Sequence, residues 1–170
     1  MTTASLTSVE FRHACGYFAT GVTVISAERA PGRVHGMTAN SFTSVSLEPL
    51  LALVCVAERA QMLPILNQRR RFGVSVLKAG QQRISEFFAQ PEQPDDAEAA
   101  LGIRFRWTPS GIPLLDDTLV QMTCNVVSTY VAGDHTIFLG EVETVEVFPG
   151  DPLIFFGRKY HDFTPSRWSS

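Results

Sequence analysis

The chain has 170 residues, 45% hydrophobic and 18% charged, enough to bury one sizeable core, so a single domain over residues 1–170 is expected. A net charge of -3, with acids and bases interspersed, leaves no basic footprint for a phosphate backbone and argues against nucleic acid as a partner. The opening MTTASLTSVEFRHACGYF lacks an unbroken apolar stretch behind a basic start. The longest apolar run, LLALVCVA at 50–57, falls well short of the ~18 residues of a membrane span. A soluble, cytoplasmic protein is the expectation.

In chain order, Thr7-Ser8-Val9-Glu10 has the spacing of a capping box, and Phe11, Ala14, Cys15 and Phe18 follow on one helical side. A short amphipathic helix ending at Gly21 is expected. From Val22 the period changes. VTVIS is rich in β-branched residues, PGR at 31–33 signals a turn, and HGMTANSFTSVS at 35–46 resumes an extended pattern. LALVCV (51–56) and FGVSVL (72–77) read as buried strands flanking a helix around Met62 to Asn67, with Pro64 tolerated near its first turn. QQRISEFFAQ places Ile84, Phe87 and Phe88 on one face of a second helix. PEQPDDAEAA, acidic and poor in large apolar residues, reads as an exposed connection.

The C-terminal half alternates long strands with short turns: LVQMTCNVVSTYV, AGD, HTIFLGEVETVEVF, PGD, PLIFFG. Such a sheet closes on itself to hide its edges, so the expected class is mainly β, a barrel with a few peripheral helices. Cys15, Cys55 and Cys124 lie far apart with no CxxC pair and read as buried thiols. No His, Cys and acid combination has metal-site spacing, so no metal is expected.

The stretch 35–46 crowds Thr38, Asn40, Ser41, Thr43, Ser44 and Ser46 together. Were it one strand, Thr38, Asn40 and any hydroxyl in phase with them would share a face, and Gly36 would let another group approach the backbone. That face could hold a flat heteroaromatic ring and a phosphate. On composition alone the preferred reading of the same residues is turn formers and strand-end caps. GxGxxG, GxSxG and GxxxxGK[ST] are all missing from the sequence, which leaves dinucleotide-fold dehydrogenases, serine hydrolases and P-loop enzymes unsupported.

GMTANSFTSVSLEPLLALVCV, AGDHTIFLGEVETVEV and PLIFFGRKY, in that order within FRHACGYFATGVTVIS to FFGRKYHDF, resemble the flavin reductase family, the small reductase components of two-component flavin-dependent monooxygenases. The resemblance implies a homodimeric split β-barrel that binds FMN or FAD, takes hydride from NADH or NADPH, and supplies reduced flavin to a partner monooxygenase. It carries flavin contact onto Thr38, Ala39, Asn40, Ser41, Ser44 and Ser46. It carries cofactor binding onto Gly133, Asp134, Arg158 and Tyr160 and a positioning or proton-handling role onto His135; Cys55 and Arg59 complete the cofactor set. His135 as a turn-bonding residue, and Arg158 and Tyr160 as strand-end residues, remain open alternatives.

Two departures stand out. AERAQMLPIL replaces the family's Ser- or Thr-rich segment after LVCV, with Arg59 able to supply charge instead, and Ser75 stands where Asn is common. The choice between FMN and FAD is thereby left open. Two other functions compete: a flavin- or haem-binding carrier or sensor without turnover, and an oxidase with permanently bound FMN. The oxidase would favour a basic phosphate cluster, and QRRRF at 68–72, the only basic run, reads instead as a solvated helix end.

Overall fold

A computed structural model describes residues 5–162. The first four residues of the N-terminal stretch and Phe163 of the closing motif lie outside them.

Helix α1 (Ser8–Cys15) starts as its sequence requires. The Thr7 hydroxyl accepts from the Glu10 amide at 3.2 Å, and the Glu10 carboxylate accepts from the Thr7 amide at 2.9 Å. The helix ends earlier than Gly21. Gly16 is its cap, and the amides of Tyr17 and Phe18 donate three residues back to Ala14 and Cys15, a tightened turn that releases the chain. The released chain forms β1 (Thr20–Gly21). No residue of α1 is buried, so among the described residues nothing covers its apolar side, and Cys15 is exposed, against the buried-thiol expectation. Cys124 is buried, its thiol pKa pushed up to about 12 by desolvation and the charge of Glu143.

Strands β2 (Thr23–Ala30) and β3 (Arg33–Ala39) form the expected hairpin about Pro31–Gly32. The extended pattern then breaks. Asn40–Phe42 lie outside any strand, and β4 (Thr43–Leu47) pairs with β5 (Leu50–Ala57), not with β2. Next come α2 (Met62–Arg69), with Pro64 in its first turn, β6 (Arg71–Val76) and α3 (Gln82–Phe88). The acidic tract read as a connection contains a helix, α4 (Asp95–Ala100). A hairpin of β7 (Phe105–Trp107) and β8 (Pro113–Leu115) follows, unmarked by periodicity because each strand is so short. The long pair β9 (Val120–Ala132) and β10 (His135–Val147) is joined by a two-residue turn, with Gly133 at φ +63°. β11 (Leu153–Phe156) and β12 (Lys159–Asp162) pair with each other, and β11 also with β1.

The seven-stranded antiparallel sheet runs β3-β2-β6-β9-β10-β5-β4. Its edge strands are consecutive in the chain, joined by Asn40–Phe42 alone. Four Cα steps reach at most ~14 Å. Six strand spacings in a flat sheet would put the edges ~29 Å apart. The sheet must therefore curl until β3 and β4 face each other across a narrow split, which makes this a split β-barrel. Strand alternation fills it: Ala52, Val54 and Val56 point inward from β5, and Phe138 from β10 meets Phe72 and Val74 from β6. Met62, Ile65 and Leu66 of α2 join this core. A second cluster under α3 gathers Val22, Val24, Leu77, Phe88 and Leu153.

The candidate site along the barrel split

The three crossing residues are held at both ends. The Thr23 hydroxyl donates to the Ala39 carbonyl at 2.7 Å, and Ser41 clasps β5 in both directions. Its Oγ donates to the Cys55 carbonyl at 3.1 Å and accepts from the Cys55 amide at 3.2 Å. Thr38 Oγ1 donates to the Ser85 carbonyl at 2.7 Å, tying β3 to α3. The Ser85 hydroxyl in turn lies 2.9 Å from that of Tyr160.

Beside this crossing is a hollow of about 230 Å³, lined by Thr38, Ala39, Asn40 and Ser41 with Cys55 and His135. Met37, Ala57 and Ala60 complete its wall. Those three also line a neighbouring hollow of about 410 Å³, while Thr38 and Asn40 line a third, of about 150 Å³, with Val22, Phe155 and Tyr160. The cavities thus form one groove along the split. Asn40 is exposed in it, and its amide has no hydrogen-bond partner among the described residues. A side-chain amide offers both donors and an acceptor, the complement of a heterocycle edge.

His135 opens β10, its Nδ1 2.7 Å from Oδ1 of Asp134. The hydrogen bond from His135 and then its charge hold the Asp134 carboxyl below the usual carboxylate range, with Arg59 adding a smaller pull. An ionised carboxylate only accepts, so Nδ1 carries the proton and Nε2 is left for a ligand. Burial raises the pKa of the Cys55 thiol, which makes it a neutral wall group.

The remaining sequence candidates are dispersed. Ser44 is exposed on β4 and lines no part of the groove, and the Ser46 hydroxyl accepts from the Glu48 amide at 3.1 Å in its own turn. Gly133 serves the β9–β10 turn. Arg158, at φ +63°, sits in the β11–β12 turn against Gly16, outside the groove. Arg59 lines the larger hollow and Tyr160 the smallest. The group that approaches Gly36 closely is the Phe88 ring, since a Cβ there would lie 2.4 Å from Phe88 Cδ1. The basic run is engaged elsewhere: Arg69 pairs with Glu28 at 3.3 Å, and Arg71 donates to Ser110 and Asn125. Sequence reading missed Met37, Ala57, Ala60 and Ser85, which carry no motif of their own.

Among the described residues no group of three or more His, Cys, Asp or Glu is placed to hold a metal ion, and no helix is long and apolar enough to cross a membrane.

Residues 15–164 match the family model described as flavin reductase like domain. The chain is 40% identical over 153 residues to the NADH-dependent flavin reductase of a Rhodococcus species, covering 89% of this chain and 84% of that one. Its fold superposes with a TM-score of 0.85 on an NADH:FAD oxidoreductase of Streptomyces globisporus C-1027 in complex with NAD and FAD fragments, at 37% identity, covering 96% of this chain and 99% of the other. The styrene monooxygenase flavin reductase of Pseudomonas putida S12 gives a TM-score of 0.82 at 39% identity, over 91% and 97% of the two chains.

Proposed function

The chain belongs to the flavin reductase family, and from that premise we propose that the groove along the barrel split is where it reduces FMN or FAD with NADH, releasing reduced flavin to a separate monooxygenase. The observation carrying this is the convergence of an unpartnered Asn40 amide and the Asp134-oriented His135 on one hollow walled by small and apolar residues. NADH is assigned because the Rhodococcus and Streptomyces relatives are named for it.

The donor set suits a flavin ring. Asn40 offers donors and an acceptor to the ring edge, while Met37, Ala57 and Ala60 offer apolar surface to its face. When bound, the flavin supplies the hydride-accepting ring and the nicotinamide the hydride, so the protein's task is placement. Ser41, through its two bonds to Cys55, fixes the crossing that carries Asn40. His135 Nε2 can hold or pass a proton at the hollow's rim while Asp134 keeps the imidazole oriented. Holding two rings in register at ~3 to 3.5 Å is the contribution such a groove makes. Among the described residues no basic phosphate cluster faces the groove, which favours exchangeable over permanently bound flavin.

The proposed assembly is a homodimer, supported by apolar side chains left uncovered. Val9 (72% exposed) on α1, Leu47 (86%) on β4 and Val147 (74%) on β10 are apolar side chains that a second subunit would cover. Sedimentation velocity checks this, and a monomer at micromolar concentration would overturn it.

The deciding experiment is steady-state loss of NADH absorbance with no flavin, FMN or FAD added. Saturable dependence on added flavin is expected. No turnover with either flavin would overturn the reading and favour the carrier or sensor.

A further inference from the structure

Three polar side chains, Thr38, Asn40 and Tyr160, line the smallest hollow of the groove beside Val22 and Phe155. Two of the three are engaged, and by the same residue. Thr38 Oγ1 donates to the Ser85 carbonyl at 2.7 Å, and the Tyr160 hydroxyl lies 2.9 Å from that of Ser85. Ser85 is fully buried on α3 and lines none of the three hollows. One residue outside the groove thus decides which polar groups inside it are free, and the Asn40 amide is what remains.

The two bonds differ in kind. Thr38 uses a backbone carbonyl, present whatever side chain stands at 85, whereas the bond to Tyr160 depends on the serine hydroxyl alone. Helix α3 is a firm anchor for it: Phe88 packs against Gly36, and the Gln81 side chain just before the helix donates to the Asp117 carbonyl at 2.9 Å. Tyr160 is less constrained. It is half-buried on β12, the edge strand of its sheet, with its ring edge-on to Phe155 at 5.2 Å. A phenol that loses its partner seeks another, because a polar group left unsatisfied away from water is costly. With Thr38 committed, the open group in the same hollow is Asn40, which can both donate and accept.

We propose that Ser85 is a positioning residue for the reductase site: its hydroxyl holds the Tyr160 phenol against α3 and so keeps the Asn40 amide open for the edge of a flavin ring. Without that hydroxyl, Tyr160 turns to Asn40 and competes with the ring for the same donors and acceptor. The competition acts on the flavin-free protein, so affinity falls while the filled site works as before. The proposal rests on the flavin-reductase reading only for the identity of the ring.

Flavin dissociation constants, read by fluorescence quenching, compare the wild type with Ser85→Ala and with Ser85→Ala/Tyr160→Phe. Ser85→Ala is expected to weaken FMN and FAD alike by about tenfold, the size of one redirected hydrogen bond. KM for flavin rises with it, and kcat at saturating flavin stays within about twofold. The double variant recovers most of the affinity but not the urea midpoint, because no hydroxyl is left to occupy Asn40 while the bond from α3 to β12 is still missing. A merely structural serine would lose midpoint and affinity together, with no recovery. In parallel, the side-chain NH2 signals of Asn40, assigned by their loss in Asn40→Asp, shift in Ser85→Ala and return in the double variant. This NMR measurement needs no flavin. Should Ser85→Ala not fold, Ser85→Cys nearly keeps the volume with a weaker hydrogen-bonding group and shows the same changes in smaller measure. Unchanged affinity in a flavin-binding Ser85→Ala, Asn40 signals that do not move, or losses that persist in the double variant each overturn the proposal. A wild type that binds neither flavin, with Asn40 signals that still move and return, supports the role of Ser85 and refutes the flavin reading alone.

Discussion

Nδ1 of His135 and Oδ1 of Asp134 lie 2.7 Å apart across the turn that joins the two longest strands, so neighbours in sequence form an oriented acid–imidazole pair at the groove's rim. Removing His135 is expected to lower kcat/KM with FMN or FAD by roughly ten- to a hundredfold, the size of effect that follows loss of a positioning contact. Asp134→Asn should cost less, because the amide can still accept from Nδ1. The carboxyl's pKa is depressed by this pair, so the orienting bond is complete above the ordinary carboxylate range and is lost only as pH falls through the depressed value. Stopped-flow NADH oxidation across pH compares the two variants. Unchanged kcat/KM in His135→Ala would remove the residue from the site.

Ser41 holds the split with one hydroxyl and two bonds to the Cys55 backbone. Ser41→Ala leaves a β5 amide and carbonyl without that partner, at a cost of about 1–2 kcal/mol. The crossing segment also loosens, so flavin affinity should drop together with the urea midpoint. Normal affinity in a destabilised variant would confine Ser41 to a structural role.

Gly36 admits the Phe88 ring, and a methyl group there would sit 2.4 Å from a ring carbon that is itself buried. Gly36→Ala is expected to destabilise the fold by about 1–3 kcal/mol, the usual cost of overpacking. Thermal unfolding reads it. Gly36→Ala combined with Phe88→Leu should recover part of the loss, and additive losses would contradict the steric account.

His35 takes up a proton near pH 6.5 in the unfolded chain but only at about 4 in the folded one. Between those values the unfolded state binds more protons, so stability falls as pH falls through this window and is fully present above it. The expected loss between pH 7 and pH 5 is about 2 kcal/mol, with Arg29 as the charge that opposes protonation. Urea unfolding at both pH values should show the slope in the wild type and a flatter one in His35→Gln. Equal slopes would assign the acid sensitivity to other groups.

Several elements were legible because local chemistry alone specifies them. The Thr7–Glu10 capping box set the start of α1, a β-branched run set β2, buried apolar runs set β5 and β6, and the turns at Pro31–Gly32 and Gly133–Asp134 set two hairpins. The order of motifs was enough to name the family and to single out Thr38 to Ser41 and His135, which line one hollow. α1 ended early because helix termination turned on a few backbone bonds at Gly16 to Phe18, which no periodicity reports. β8 is buried at all three of its positions by contacts with β2 and β6, remote in sequence, so alternation never develops there.

Within the polar stretch, the sequence by itself determined that short donors cluster at 38–46, but not which of them are free. Tertiary pairing decided that. Strand β4 left β3 for β5, so Ser41 was committed to Cys55, Ser46 to its own turn and Thr38 to Ser85, while Asn40 stayed open to the groove. A hydroxyl's identity is written in the chain, whereas its partner depends on which remote carbonyl the curled sheet brings within hydrogen-bonding distance. The same closure gathers His35, Arg59 and Gln93, from three separate segments, around a second hollow that no spacing along the chain could have announced.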